Sequence, residues 1–183
     1  MQLPFTLRKK KVTTGRGSSL NFEEVHSVHT TLAHNWRQQK SEPKHLLPPE
    51  HRRQNLALLN NPQIDKEALV ARFHADQARR TKRAKTERRS AWWDAVVNLP
   101  EPPIDPAEHD SWAAMLMPKL RRLSQEIERT MGLQLVDAVT HWDEGKLYED
   151  GRVKYNGHAH LTFCRLRPDG KMLRFRKADL QRL

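Results

Sequence analysis

The pattern of hydrophobic and polar residues predicts a strand and then helices in the N-terminal part of the chain. Residues 3–8 favour a first short strand, and a loop that is basic at its edges is expected at 15–19. Apolar and small residues recur at helical spacing over 22–39, and a second helix is expected over 49–59. The segment Asn60-Asn61-Pro62 then predicts a stop, because asparagine tolerates turns and the residue before proline avoids helical dihedral angles.

The middle of the chain predicts a charged helix, a buried strand and a long amphipathic helix. The charged helix is expected over 64–90, and the aromatic and branched residues of 91–99 are typical of a buried strand. Another helix is expected to begin at Pro106, since the apolar residues after it are spaced by three or four. Pro118 is expected to kink or divide this helix, and Gly132 falls where a C-terminal glycine cap belongs.

Two strands near the C-terminus favour an antiparallel hairpin. They are expected over 133–142 and 157–167, with a turn-like segment around Asp150-Gly151 between them. Beyond the hairpin, the pattern predicts a turn, a strand and a short helix at 168–170, 172–176 and 177–183.

This order of elements indicates an α+β fold, with helices packed on an antiparallel sheet. A chain of 183 residues fits one domain. We therefore expect a single domain over 1–183, with a mainly helical insertion at about 22–90 and a hairpin at 133–167.

The chain is strongly basic: Lys and Arg total 33 against 22 Asp and Glu, which gives a formal net charge of +11. Such an excess suits a polyanion, nucleic acid first and an anionic membrane surface second. No run of 18 apolar residues exists, which excludes a transmembrane helix, and no apolar stretch follows the basic residues 1–11 as a secretory signal requires. The single cysteine, Cys164, cannot form an internal disulfide, so a cytoplasmic protein is expected.

The most basic stretch lies within the charged helix, at 79–89. Such a run is commonly a solvated helix face, but with this overall charge it can equally be a surface that contacts phosphates. Both interpretations stay open. The candidate phosphate contacts are Arg79, Arg80, Lys82, Arg83, Lys85, Arg88 and Arg89.

Three histidines of the C-terminal hairpin are candidate metal ligands. His158 and His160 share one face of their strand, because alternate side chains point the same way. His141 ends the preceding strand and can lie opposite that pair if the two strands are neighbours. Three imidazoles with an open coordination position are typical of a catalytic metal site.

The residues around these histidines favour a metal site of this kind. A His-x-His pair on a strand is commonly two surface or core histidines, but here a third histidine stands upstream beside two acids, Asp143 and Glu144. A cupin would carry a glutamate where Arg165 and Arg167 stand, and a zinc finger needs more than one cysteine.

Two segments resemble conserved blocks of plasmid mobilization relaxases, which belong to the HUH endonuclease superfamily. Residues 131–144 (MGLQLVDAVTHWDE) and 157–163 (GHAHLTF) are similar to the His-x-Asp-Glu and His-hydrophobe-His blocks of its plasmid recombination and mobilization (Pre/Mob) branch. The residues His34-Asn35-Trp36-Arg37, followed by Asn55, resemble the His-Asn-x-Arg motif of that branch. Together the quoted matches comprise 26 of the 183 residues. The resemblance implies a sheet with relaxase topology.

The resemblance also implies an activity. Relaxases cut one DNA strand at an origin of transfer, stay attached to the 5′ phosphate and later rejoin the strand. Carried over, His141, His158 and His160 become ligands of a divalent ion, manganese or magnesium, which polarises the scissile phosphate, and Glu144 becomes an active-site acid. The implied partners are single-stranded or supercoiled DNA and the conjugation machinery, in the cytoplasm of a bacterium.

The nucleophile has two candidates. In much of the superfamily it is a tyrosine, but in the Pre/Mob branch it is thought to be the histidine of His-Asn-x-Arg, here His34. The only tyrosines are Tyr148 and Tyr155, and none follows His160, where the replication-initiator branch places its tyrosine. His34 is the first candidate and Tyr155 the reserve, against the ordinary alternatives of a helix-surface histidine and a loop aromatic.

Two features depart from the family pattern. Thirteen residues separate Glu144 from His158 where the family has only a few, which predicts a longer hairpin between the two motifs. The chain also ends soon after the motif, while many relaxases continue. In a relaxase, Arg37, the basic run and residues 9–11 would hold phosphates. Base-stacking surfaces are expected from Trp36, Trp92 or Trp142 wherever they are exposed, although Trp92 and Trp93 favour the core.

Two other functions stay open. An HUH replication initiator would share the fold and the metal site but act at a replication origin. A basic DNA-binding protein with structural histidines would bind DNA in a salt-dependent way, with no metal dependence and no covalent product.

Overall fold

The structure is a computed structural model that describes residues 10–14, 18–38, 43, 45–53, 55–57, 66–86, 89–103 and 105–174. The expected strand at 3–8, the stop at Asn60-Asn61-Pro62 and the final helix at 177–183 lie outside these residues. Within the described part, the protein is α+β, as expected, with eight strands and four α-helices.

Six of the strands form one antiparallel sheet, and the other two form a small hairpin. The strands are β1 (Lys10–Thr14), β2 (Ser18–Glu24), β3 (Leu56–Ala57), β4 (Trp92–Asn98), β5 (Gln134–His141), β6 (Gly145–Leu147), β7 (Val153–Tyr155) and β8 (His158–Cys164). The order across the sheet is β1-β2-β4-β8-β5-β3, with every neighbouring pair antiparallel. The β6–β7 hairpin connects the adjacent strands β5 and β8.

Helices cover both faces of the sheet. The helices are α1 (Val28–Asn35), α2 (Lys66–Arg79), α3 (Lys82–Thr86) and α4 (His109–Met131). One face of the sheet, with Leu161 and Phe163, packs against Leu120 and Ile127 of α4. The opposite face packs against α1 and α2, and its buried residues include Trp92, Val136, Leu32, Leu69 and Phe73. Alternate residues of the central strands β4, β5 and β8 therefore enter two separate cores.

The long, strongly patterned elements are confirmed. β4, β5, β8 and α4 lie where the hydrophobic pattern predicts them. Gly132 ends α4 with φ 66°, the left-handed conformation of a helix C-cap, which glycine adopts without steric cost. The turn at 168–170 is also present, with Gly170 at φ 74°.

The prediction of a helix over 22–39 is wrong at its start, since 22–24 belong to β2. Of the loop predicted at 15–19, residues 18 and 19 also belong to β2, and 15–17 lie outside the described residues. Phe22 pairs with Ala95 of β4 and packs in the core under α4. The helix itself is only Val28–Asn35, and the Ser27 side chain caps it by accepting from the Thr30 N–H. Sheet pairing therefore overrides the local helical spacing.

Other predicted helices are shorter or broken. Among its described residues, the segment 49–59 forms a 3-10 turn at Pro49–His51 and the two-residue strand β3, which pairs with the edge of β5. The helix predicted over 64–90 is divided into α2 and α3 at Thr81, whose N–H donates to the Gly170 carbonyl at 3.0 Å. Pro118 does not divide α4, which is continuous across it.

The strand predicted over 172–176 is reduced, among the residues described, to one isolated bridge between Leu166 and Met172. In the same described ranges, no helix combines the length and the apolar character that crossing a bilayer requires.

Candidate metal centre

The pairing of β5 with β8 brings the three predicted histidines together. His141 lies directly opposite His158 in the register, and His160 follows on the same face of β8. The ring centroids of these three residues are 5.0–5.1 Å apart. The last turn of α1 adds His34, whose ring lies 5.3 Å from His141 and 5.2 Å from His160. Four imidazoles therefore converge, each with a nitrogen within 4.8 Å of the others.

Backbone carbonyls fix the protonation of two of the rings. The Nε2 of His141 lies 2.8 Å from the Asn35 carbonyl oxygen, and the Nδ1 of His158 lies 2.8 Å from the Asn156 carbonyl oxygen. A carbonyl only accepts hydrogen bonds, so each of these nitrogens carries the ring proton. In a neutral imidazole the other nitrogen is then unprotonated and carries a lone pair. These two unprotonated nitrogens, His141 Nδ1 and His158 Nε2, face each other at 3.3 Å.

A carboxylate orients the third ring. The Nδ1 of His160 donates to Asp94 Oδ2 at 2.5 Å, and Thr162 donates to the other oxygen of Asp94 at 3.0 Å. Within the part of the chain that the structure describes, the buried Nε2 of His160 has no hydrogen-bond partner. An acceptor behind each ring is the usual support of a metal-bound histidine, because it sets the tautomer and the direction of the free nitrogen.

Burial keeps the rings of His141 and His158 neutral. It lowers the pKa of His141 to about 2 and lowers the pKa of His158 as well. Two imidazole nitrogens bound to one ion at about 2.0–2.1 Å with tetrahedral angles are roughly 3.3–3.4 Å apart. The 3.3 Å between His141 Nδ1 and His158 Nε2 fits that spacing. The histidine cluster of His34, His141, His158 and His160 could therefore hold a divalent metal ion.

His34 differs from the other three because it is only partly buried and stands at the C-terminal end of α1. Burial, followed by the nearby His160 and Arg37, lowers its pKa. A neutral imidazole at this place can act as a fourth ligand or as a nucleophile towards a group held by the other three.

A network of ion pairs lies beside the cluster and is centred on Arg37. Its guanidinium donates to Asp143 at 2.6 and 2.7 Å and to Glu144 at 2.7 Å. Asn55 donates to the same Asp143 at 2.8 Å and accepts the Trp142 N–H at 2.8 Å. Burial opposes ionisation of Asp143, but Arg37 and Asn55 outweigh it and lower its pKa. Both carboxylates are therefore fixed in position.

The backbone at Arg37 explains how this network and the cluster are connected. Arg37 has φ 53°, the left-handed conformation that glycine usually supplies at a helix end. The Arg37 and Gln38 N–H groups return to the carbonyls of His34 and Ala33 at 3.2 and 2.8 Å. This ends α1 and leaves the Asn35 carbonyl to accept from His141.

Several predicted site residues have other contacts in the structure. Arg37, expected to touch DNA, is engaged with the two carboxylates. The Tyr155 hydroxyl donates to the His51 carbonyl at 3.1 Å and joins the hairpin to the segment after Pro49. Trp92 and Trp142 are buried at 0% and 1% exposure, so neither can offer a base-stacking surface.

The predicted basic run is only partly available to a ligand. Arg79 pairs with Asp76, and Arg80 donates to the carbonyls of Gln77 and Arg89. Lys82, Arg83 and Lys85 lie in α3 with exposed side chains. Arg88 lies outside the described residues, and Arg89 is half-buried before β4.

Sequence reasoning did not identify Asp94. The signal was an aspartate inside a strand of otherwise apolar residues, where an unpaired charge would be costly. Its partner depends on the β4–β8 register, which places it opposite Thr162 and beside His160.

Comparisons with models of protein families, with curated proteins and with solved structures found no match to this chain.

Proposed function

We propose that this protein is a metal-dependent DNA nicking and rejoining enzyme of the relaxase kind, with His34 as its nucleophile. The observation that carries the proposal is the histidine cluster, in which three rings have acceptors behind them and His34 faces the same point. A purely structural set of histidines has no need to direct unprotonated nitrogens at one another.

The proposal extends to the fold, the metal and the setting. We propose that the sheet is that of an HUH endonuclease, supported by histidines on two adjacent strands and by helices on both faces. The resident ion is proposed to be manganese or magnesium, held by His141, His158 and His160. Such an ion supplies charge to the scissile phosphate and stabilises the transition state. The setting would be the cytoplasm of a bacterium, with origin DNA and the conjugation machinery as partners.

The reaction proposed for His34 transfers the scissile phosphate from the 3′ oxygen to a nitrogen of its ring. The neutral ring attacks phosphorus through its lone pair, and the bond from phosphorus to the 3′ oxygen breaks. The new phosphoramidate loses the proton on its other ring nitrogen, and the released 3′ oxygen takes up one proton to become a hydroxyl. Rejoining is the reverse reaction. The lowered pKa of His34 supports this role, because only the unprotonated ring is nucleophilic.

The ion-pair network would position the nucleophile. Arg37 is adjacent to the helix end that carries His34, and it is bound to both Asp143 and Glu144. Because its guanidinium is already paired with these two carboxylates, Arg37 acts in the proposed enzyme as a positioning residue for His34. Glu144 directly precedes the β6–β7 hairpin, so the long connection between the motifs leaves its carboxylate beside the cluster.

The test is a covalent adduct assay. The protein is incubated with manganese and single-stranded oligonucleotides that tile the DNA around its own gene, and products are separated on a denaturing gel. We expect a protein–DNA adduct that is absent in His34→Ala and present in His29→Ala, a matched change at an exposed histidine of the same helix. A phosphohistidine link would also be labile in acid.

Other outcomes reject the proposal or part of it. An adduct that persists in His34→Ala and disappears in Tyr155→Phe would move the nucleophile to Tyr155. DNA binding that ignores metal and yields no adduct with any oligonucleotide would support the non-catalytic alternative.

A further inference from the structure

A basic cavity lies at the opposite end of the sheet from the histidine cluster. It has a volume of about 480 Å³. Its walls come from α3 and the residue before β4 on one side and from the turn after β8 on the other. The five cationic residues that line it are Arg83, Arg89, Arg167, Lys171 and Arg174.

Backbone contacts join the two sides of this cavity. The Thr81 N–H, at the α2–α3 junction, donates to the Gly170 carbonyl of the turn at 3.0 Å. Within the turn, the Arg167 N–H donates to the Lys171 carbonyl at 3.0 Å. A side chain at Gly170 would collide with the Arg79 carbonyl, so the turn can approach the α2–α3 junction only because this residue is glycine. The cavity is thus built into the fold.

The charge of the cavity indicates an anionic ligand. None of the seven residues that line it, all within the described ranges, is acidic. Lys171 pairs with Asp169 at 3.2 Å, but both side chains are largely exposed, which weakens that pair. The lining therefore carries an excess of positive charge, which attracts an anion.

The chemistry of the lining suits phosphate groups. Four of the five cations are arginines, whose planar guanidinium groups match phosphate oxygens in a two-bond fork. Their distribution around the whole cavity suits several phosphates in series rather than one. A nucleic-acid backbone presents phosphates in that way.

We infer that this cavity binds backbone phosphates of the DNA that flanks the cleavage point. The inference rests on the proposed function for the identity of its ligand. The strand β8, which runs from His158 to Cys164, separates the two sites by about 20 Å at roughly 3.3 Å per residue. Along the axis of a duplex the phosphates of one strand are spaced by about 3.4 Å, so duplex DNA lying along β8 would reach the cavity roughly six base pairs from the histidine cluster.

The experiment measures binding without catalysis. Metal-free His34→Ala protein is titrated into labelled single-stranded and duplex oligonucleotides, and fluorescence anisotropy is recorded over a series of salt concentrations. The cavity variant is Arg167→Glu/Arg174→Glu. The control is Arg121→Glu/Arg122→Glu, which makes the same change of charge at exposed positions of α4.

We expect the cavity variant to bind DNA at least about tenfold more weakly than the control. The slope of its log affinity against log salt concentration should be shallower by about two released counterions. Shortening the DNA so that it ends before roughly six nucleotides from the cleavage point should weaken DNA binding by the parent protein and leave DNA binding by the cavity variant unchanged. Thermal unfolding of both variants verifies that each is folded.

Two results would overturn the inference. The first is an equal loss of DNA binding in the two double variants, which would reflect net charge alone. The second is intact DNA binding in the cavity variant. If that variant also loses the parent protein's binding to vesicles of phosphatidylcholine and phosphatidylserine, the cavity is assigned to a lipid surface. Neither result depends on an adduct, so failure of the nicking assay is a separate result.

Discussion

The Nδ1 of His141 and the Nε2 of His158 lie 3.3 Å apart, and both are unprotonated because the opposite nitrogen of each ring donates to a backbone carbonyl. Two lone pairs at this distance repel each other in the absence of a cation. Protonation would relieve the repulsion, but burial lowers the pKa of both rings. A metal ion is therefore the cation that this arrangement favours.

Metal should stabilise the protein through the histidine cluster. At a free concentration of 100 times the dissociation constant, a ligand of the folded state adds about 2.7 kcal/mol, which is roughly 5–10 °C in melting temperature for a chain of this size. We expect such a rise between chelator and added zinc, cobalt or manganese. The rise should be absent in His160→Ala and intact in His29→Ala. Equal responses in all three proteins would exclude the site.

Asp94 should tune metal affinity from behind His160. The change Asp94→Asn keeps the shape but removes the charge that holds the Nδ1 proton of His160. We expect metal affinity to fall by about 10- to 100-fold, as measured by competition with a chelating dye. The control is Asp137→Asn, a second buried carboxylate on the same face, which accepts from Trp36 instead. A larger loss in the control would mean that burial of charge, not orientation of His160, matters.

Acid should destabilise the metal-free protein. The folded-state pKa of His141 is lowered to about 2 and that of His158 is lowered too, whereas unfolded histidine titrates near about 6.5. Below that pH the unfolded chain binds more protons, so stability falls as pH falls. We expect the free energy of unfolding in chelator to decrease from pH 7.5 to 5.

The matched variants separate the cluster from other titrating groups. His158→Gln should flatten this pH dependence, and His29→Gln at an exposed position should leave it unchanged. Urea unfolding at each pH gives the free energies. A pH dependence that is identical in His158→Gln and the parent would contradict the assignment of its cause.

Arg37 should stabilise the folded protein as well as position His34. Removing its guanidinium leaves two carboxylates, exposed by only 7% and 6%, without their counter-ion. We expect Arg37→Ala to lose about 3 kcal/mol in the free energy of unfolding. Arg37→Gly should lose roughly 1 kcal/mol less, because glycine accepts φ 53° without strain.

The control for Arg37 is Arg129→Ala, which breaks an exposed pair with Glu126 and should change the free energy of unfolding very little. Denaturant unfolding measures all three variants. Equal small losses in Arg37→Ala and Arg129→Ala would mean that the network is solvated.

The sequence by itself predicted the elements whose signals are local. Alternation along β8 places His158 and His160 on one face and Leu161 and Phe163 on the other, because a strand has a period of two whatever surrounds it. The apolar stripe of α4 and its Gly132 cap were predicted for the same reason. The pairing of His141 with His158 followed from two adjacent strands and a connection between them.

Other features of the protein depend on contacts between segments that are far apart in the sequence. Residues 22–24 carry a pattern that suits either a helix or a strand, and only pairing with β4 makes them a strand. Asp94 reaches His160 because of one register, and a shift of one residue would turn it to the other face. Arg37 takes its strained conformation where two distant carboxylates hold its side chain. Such contacts depend on the packing of segments far apart in the chain, and local sequence patterns do not encode which partners will meet.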